Sequence, residues 1–343
     1  MNQLTILVMA AGKGTRLKSS LPKVLHQLGG QSLIEYVLDA AQVLNPREIT
    51  VIVGHQANLV RSELSRREVQ FVEQVPQLGT GHAVQVARKV WQQQEGNLLI
   101  LSGDVPLISS ETLEKLVQTH NNKRPSATML SARMSNPFGY GRVVRSPGGQ
   151  VLGIVEHKDA SPEELAIEEI NTGLYCFQVS DLAEVIDKLS ADNRQSEYYL
   201  TDAIKLLSSK GKRIEAALCD DLLEITGINS RIELAELGQV LRDRRTRKLM
   251  SEGVTVIDPA STYVENNVRV GSDTIIYPNV YLQKGTIVGS GCQIHSNCRL
   301  SHTVVGDQVV ILDSCLITDS RLPAGAEIGP FAQLKNQVVD ETG

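Results

Sequence analysis

The chain has 343 residues and a formal net charge of −5, with 41% hydrophobic and only 4% aromatic residues, so it is long for a single core and two domains are expected. No apolar run approaches the ~20 residues of a membrane span, and Met1-Asn2-Gln3 lacks the positive start of a signal peptide, so a soluble, cytoplasmic protein without a membrane partner is expected. Five widely spread cysteines with no Cys-x-x-Cys pair point to neither a disulfide framework nor a zinc site.

The amino terminus opens on an apolar run, Leu4 to Met9. It turns at once into Ala10-Ala11-Gly12-Lys13-Gly14-Thr15-Arg16, with Leu21-Pro22-Lys23 just beyond. This order reads as a strand feeding a phosphate-binding loop. A triphosphate needs several backbone N–H groups at close range, and residues without bulky side chains allow that approach. Lys13, Arg16, Lys18 and Lys23 supply positive charge, and no Asp or Glu precedes Glu35. In an acidic chain this is a local excess of cations, which fits a small anionic ligand better than nucleic acid. Two common glycine loops do not match. A Walker A loop needs a glycine five residues before Gly-Lys-Ser/Thr, and here Lys13 is followed by Gly14. A dinucleotide fingerprint needs a third glycine where Leu17 stands.

From there to about residue 225, strand-like and helix-like segments alternate. That is the pattern of an α/β, Rossmann-like domain with a mainly parallel sheet and helices on both faces. The spacing of Leu33, Val37, Leu38, Ala41 and Leu44 predicts a helix over 32–44. A strand over 49–53, a helix over 57–66 and a short strand over 70–72 follow. Gly79-Thr80-Gly81 opens a helix running to about residue 93, and 98–101 is a fully apolar strand ending in Ser102-Gly103-Asp104. Ligands of such sheets sit at the carboxyl ends of the strands, so the first loop and Asp104 are expected to face one crevice. An Asp after a strand is often a turn former, yet it is also the usual means of holding magnesium beside phosphates. Gln74 on its own reads as a solvent-facing polar residue. His82, one turn into a helix and without a partner His or Cys at ligand spacing, reads as structural.

The run Ala10-Ala11-Gly12-x-Gly14-Thr15-Arg16 with Pro22-Lys23 resembles the signature of the sugar-nucleotide pyrophosphorylases, a family of nucleotidyltransferases. Further segments resemble its uridylyltransferase branch, which serves bacterial cell-wall precursor synthesis. These are Gln74 to Ala83, Gly103-Asp104-Val105-Pro106-Leu107, Gly139-Tyr140-Gly141-Arg142, Ile154 to Lys158 and Glu169 to Gly173, in the family's order and covering the chain to about Asn229. The resemblance implies that UTP and N-acetylglucosamine 1-phosphate give UDP-N-acetylglucosamine and pyrophosphate, with Mg2+ shared by Asp104 and Asn229. It implies substrate contacts from Met9, Ala10, Ala11, Gly12, Lys23, Gln74, Gly79, Thr80, Ser102 and Gly103, with the uracil edge read near Gln74 and Gly79-Thr80; Ser102 departs from the tyrosine of some relatives. Sugar contacts are implied for Gly141, Glu156 and Asn171, with Glu197 and Tyr199 in a segment near the sugar. Arg16 and Lys23 are the expected catalytic cations. Two other functions could use the same residues: transfer to another sugar 1-phosphate or from another nucleotide, and non-catalytic binding of a nucleotide sugar by a regulatory subunit.

Residues 230–252 read as a charged, solvated connecting helix, because acids are interleaved with the cations Arg242 to Lys248. Beyond Pro259 the texture changes. Val264, Val270, Ile276, Leu282, Val288, Ile294 and Leu300 recur every sixth residue, and the series restarts one residue early at Val305 and again at Leu322. A hexapeptide period predicts a left-handed parallel β-helix over 253–343. The residue four after each apolar position, including Cys292, Cys298, Val304 and Cys315, is expected to point inward as small filling. His295 and His302 fall outside both inward positions and read as surface residues. In the family this β-helix runs further, bears an acetyltransferase site and associates as a trimer. With the chain ending at Gly343, after roughly four coils of ~18 residues, a homotrimer without acetyl transfer is expected.

Overall fold

A computed structural model describes residues 4–338; Met1-Asn2-Gln3 and the end at Gly343, on which two of the expectations above rest, lie outside the described residues. The chain divides into two compact units, Met1–His26 with Ser32–Ser230, and Gln27–Gln31 with Arg231–Gly343.

The first unit is built on one sheet. Its strands are β1 (Leu4–Ala10), β2 (Glu48–Val53), β3 (Gln70–Glu73), β4 (Asn97–Ser102), β5 (Ala127–Arg133), β6 (Gly141–Arg145), β7 (Val151–Val155), β8 (Glu169–Gln178) and β9 (Ile214–Leu218). The main order is β9-β5-β8-β4-β1-β2-β3, and the β6–β7 hairpin pairs onto β8. β1 lies parallel to β2 and β4, as the alternating pattern predicts. The ten-residue β8 runs antiparallel to both β4 and β5, a reversal the alternation did not announce. Leu7, Val8, Ile52, Leu99 and Ile100 are fully buried, because helices cover both faces and leave no polar side for these strands. The helix expected over 79–93 is divided in two, Thr80–Val86 and Arg88–Trp91. In the register of β1 with β4, Met9 stands opposite Ser102, so the loops after both strands leave the same edge.

The second unit holds the helix Arg231–Ser251 and a left-handed parallel β-helix of three sheets, with five, five and four strands among the described residues. Two faces therefore carry five rungs where the spacing gave roughly four coils. The first rung, Thr255–Val256, already precedes Pro259. Ile276, Leu282, Ile294, Leu300 and Ile311 form the wall of the narrow core. Cys292, Cys298 and Cys315 fill the second inward position, each thiol donating to a carbonyl of the next coil, as with Cys298 to Leu312 O at 3.0 Å.

Two details differ from the reading of the repeat. Where the coil shortens by one residue, the buried positions are Thr303 and Ser320, and Val304 is half-buried. The deleted residue falls in the corner after the apolar position, so the inward residue is fixed two places before the next apolar one. Nor are the cations of the long helix all solvated. Arg245 donates to Val268 O, and the Arg242 guanidinium lies 4.9 Å from the Tyr263 ring. Among the described residues no helix is long and apolar enough to cross a membrane.

Candidate active site

The loop after β1 is pinned at its flanks and open in its middle. Leu17, Val24 and Leu25 are buried in the core, whereas Gly12, Lys13, Thr15 and Arg16 are exposed. Gly14 sits at φ 58, and a Cβ there would come within 2.7 Å of Lys23 Cβ. Only glycine takes that backbone at so close an approach without strain, and this brings the loop against Lys23. Around Gly12 nothing stands within 4 Å of an added Cβ, so the turn keeps free space above it.

Lys23 is where the site converges. Its ammonium forms an ion pair with Asp104 and donates to Asn229 Oδ1 at 2.7 Å. Arg16 donates to the same Asn229 oxygen at 2.8 Å. The backbone N–H of Ile228 donates to Asp104 O at 3.0 Å, so the Asn229 segment is fastened to the end of β4. Two oxygens, one carboxylate and one amide, thus aim at a single cation beside a loop of exposed N–H groups and positive side chains. A divalent ion suits this donor set: magnesium takes one or two protein oxygens and completes its shell with phosphate and water. Among the described residues no cluster of three or more His, Cys, Asp or Glu could hold a metal by itself. The ligand must supply the remaining oxygens.

The crevice here has a volume of about 500 Å³ and is lined by Met9, Ala10, Ala11, Gly12, Arg16, Lys23, Gln74, Gly79, Thr80, Ser102, Asp104 and Asn229 from the residues expected in sequence. It is also lined by Lys13, Thr15, Gln77, Ala83 and Glu197. Gln77 lay within the Gln74–Ala83 segment, and a second amide three residues after Gln74 was the available signal. Gly103 is not part of the lining; its N–H donates to Met9 O at 3.0 Å and closes the sheet edge. The order β3-β2-β1-β4 sets Gln74 and Asp104 on opposite sides of the first loop, three strand spacings or about 14 Å apart. One end of the crevice gathers the cations Lys13, Arg16 and Lys23, and the other holds amides, small apolar groups and Glu197, whose Cβ is 3.0 Å from where a Gly79 Cβ would stand.

Gly79 is fixed by contact. It has φ 109, and a Cβ there would lie 2.6 Å from Tyr198 O. Gly81 N donates to Tyr198 O at 2.7 Å and Tyr198 N to Leu78 O at 2.8 Å, which ties the two segments together. The Thr80 hydroxyl accepts from Leu200 N at 3.0 Å, so its lone pairs are partly spent within the fold.

Gly141, Glu156 and Asn171 group separately from this lining. Gly141 stands opposite Asn171 in the pairing of β6 with β8, and Glu156 Oε2 is 3.5 Å from where a Gly141 Cβ would be. Glu156 faces a second cavity of about 330 Å³ shared with Asp159, Tyr199, Thr201 and Asp202. Burial raises the Glu156 carboxyl above the usual range, and Asp159, Asp202 and Glu197 add to the rise, opposed by the Thr201 hydroxyl that donates to Oε1 at 3.1 Å. Burial likewise pushes Tyr199 up to about 12. The Asn171 amide donates to Tyr175 Oη at 2.7 Å and its Oδ1 accepts Gly173 N–H at 3.2 Å, so both of its polar atoms are engaged within β8. Gly173 connects the two groups, since a Cβ there would stand 3.6 Å from Ser102 Oγ.

Comparison with known proteins bears on the family. The MobA-like NTP transferase domain matches residues 6–198, and the bacterial transferase hexapeptide, in six repeats, matches 267–302. The chain is similar to the bifunctional protein GlmU of Clostridioides difficile, at 42% identity over 96% of this chain and 71% of that protein. It is similar to the same protein of Lactobacillus delbrueckii, at 43% over 98% of this chain and 73% of the relative, and of Enterococcus faecalis, at 42% over 96% and 71%. A nucleotidyltransferase domain with a cation-lined crevice, followed by hexapeptide coils and matched along nearly its whole length, places the chain in the GlmU family as a sugar-phosphate nucleotidyltransferase.

Proposed function

We infer that the crevice carries the transfer of UMP from UTP to N-acetylglucosamine 1-phosphate, giving UDP-N-acetylglucosamine and pyrophosphate. The observation that carries this is the convergence of Asp104 and Asn229 on the Lys23 ammonium at the end of β4, beside the loop after β1. A phosphate oxygen of the sugar phosphate attacks the α-phosphorus in line. A new P–O bond forms as the bond to the bridging oxygen breaks, and the electron pair leaves with pyrophosphate. No covalent enzyme intermediate is needed, so catalysis is positioning and charge stabilisation. Lys23 and Arg16 balance charge that builds on the departing phosphates. Lysine suits position 23 because a compact point charge can follow a phosphate as it moves.

Nucleotidyltransferases of this family use a divalent metal. We propose magnesium, held by Asp104 and Asn229. Bound there, the ion would supply charge neutralisation of the phosphates, and Lys23 would then be free to face them. Gln74, Gly79 and Thr80 take the base end, and Gly141, Glu156 and Asn171 the sugar end. A carboxylate, an amide and a backbone N–H suit a neutral acetamido sugar, because together they offer paired donors and acceptors. Hexapeptide coils with exposed Ile287 and Leu316 on their flanks support side-by-side association as a homotrimer. The reaction belongs in the cytoplasm, which supplies UTP.

Pyrophosphate release from a panel of nucleoside triphosphates and sugar 1-phosphates tests the reading. Turnover highest with UTP and N-acetylglucosamine 1-phosphate is expected; preference for glucose 1-phosphate or for another nucleotide would overturn the assignment. Light scattering tests the trimer, and a monomer at all concentrations would overturn it.

A further inference from the structure

Gln74 can show the crevice only one face of its amide, and the fold decides which. The side chain is buried, with Nε2 2.9 Å from Gly79 O and 3.1 Å from His82 Nδ1. A carbonyl oxygen only accepts, so the atom facing Gly79 O is the NH2 group. Gly79 O is itself held, since it also accepts Ala83 N–H at 3.1 Å. One amide hydrogen is spent there. The other points at His82, whose Nδ1 is then the unprotonated ring nitrogen, with the proton on Nε2. Turning the amide over would set its oxygen against the Gly79 carbonyl, which can only accept, and would force the His82 proton onto Nδ1. What the crevice receives is therefore Oε1, a pure acceptor.

We propose that His82, by accepting from Gln74, sets base specificity: it locks the amide so that the crevice accepts a pyrimidine carrying a hydrogen on N3 and refuses one whose N3 is a bare acceptor. This rests on the crevice being the UTP site, and it goes beyond that reading by naming a residue that touches no substrate. Uracil offers an N3–H donor to Oε1. Cytosine sets a lone pair against it, and an amide held from two sides cannot turn to relieve the clash. His82 is a positioning residue, and the structural role expected from its helical position becomes one in recognition.

The test compares kcat/KM for UTP and CTP in the full chain and in two variants. His82→Leu removes the acceptor, and His82→Asn keeps one, because the Asn Oδ1 can take the place of Nδ1. In His82→Leu the UTP KM should rise about tenfold, the weight of one hydrogen bond, with the change carried by KM rather than kcat. The UTP to CTP preference should fall by a similar factor, and His82→Asn should restore most of both. The preference ratio does not depend on the fraction of active enzyme, so partial misfolding of a variant does not obscure the result. An unchanged ratio in His82→Leu, with the unmodified enzyme active on UTP, overturns the proposal alone. An unmodified enzyme without a preference for UTP overturns the reading of the crevice, and the proposal with it.

Discussion

The crevice and the β-helix solve opposite problems. The β-helix repeats one solution: an apolar residue and a small residue point inward in every rung, and any rung resembles the next. The crevice repeats nothing. Its residues come from the ends of β1, β3 and β4 and from a segment more than a hundred residues further on, and each has a single task. A periodic core spreads its stabilisation over equivalent positions, while a site concentrates function in polar residues that add little to the core. The two regions should therefore fail differently when single residues change.

The largest effect is expected inside the coils. Ile294 is fully buried in the β-helix core, so Ile294→Ala should cost about 2–5 kcal/mol of stability. Nucleotidyl transfer per folded molecule should be unchanged, as read by chemical denaturation beside kcat. A proportionate loss of kcat in the folded fraction would mean that the regions do not divide the work.

The first unit has stability residues of its own, away from the crevice, and His120 sharpens the contrast. Its ring is buried, with Nδ1 2.9 Å from the Thr128 hydroxyl, and burial lowers it from 6.5 to about 4 despite the attraction of Asp181. The folded value lies below the unfolded one, so the folded state binds fewer protons between them. Stability is full above pH 6.5 and declines as the pH falls toward about 4. The loss between pH 7 and pH 5 should be on the order of 2 kcal/mol. Urea unfolding at the two pH values checks this, and His120→Phe should flatten the difference.

Asp104→Asn isolates the metal role, since the change is nearly isosteric. The melting temperature should hold, while the magnesium concentration for half activity rises about tenfold or more, the cost of one charged ligand. An unchanged magnesium curve would reduce Asp104 to a turn residue. The smallest effect belongs to the coils again. Cys298→Ser keeps a small donor facing Leu312 O, so the new hydroxyl stays hydrogen-bonded and the change should cost about 1 kcal/mol, measured by thermal unfolding. A much larger cost would show that the inward small positions are not interchangeable.

The same contrast explains what could be read from the sequence. The β-helix was legible because a period is a local property: Val264 to Leu300 announce it without any tertiary information. It misled at the shortened corners, where Thr303 replaces Val304, because the spacing there is set by the following residue, and it missed the first rung before Pro259. The first loop was legible because its glycines and cations are contiguous. Gln74 and His82 could be quoted from one segment, yet their pairing is a matter of side-chain direction across a turn. The engagement of Arg242 and Arg245 with Tyr263 and Val268 depends on partners that a composition reading of the helix cannot see. The antiparallel β8, which carries Asn171, lay hidden because its apolar run reads the same in either direction.

The central claim is that Lys23, at the meeting point of Asp104 and Asn229, acts on the phosphates and not on the fold. Measuring kcat and melting temperature together for Lys23→Ala tests it most directly, with Arg16→Ala in parallel. The account predicts a fall in kcat of roughly 10²-fold or more, the usual loss for a preorganised charge contact, with little change in melting temperature. Near-normal turnover in both variants would contradict it.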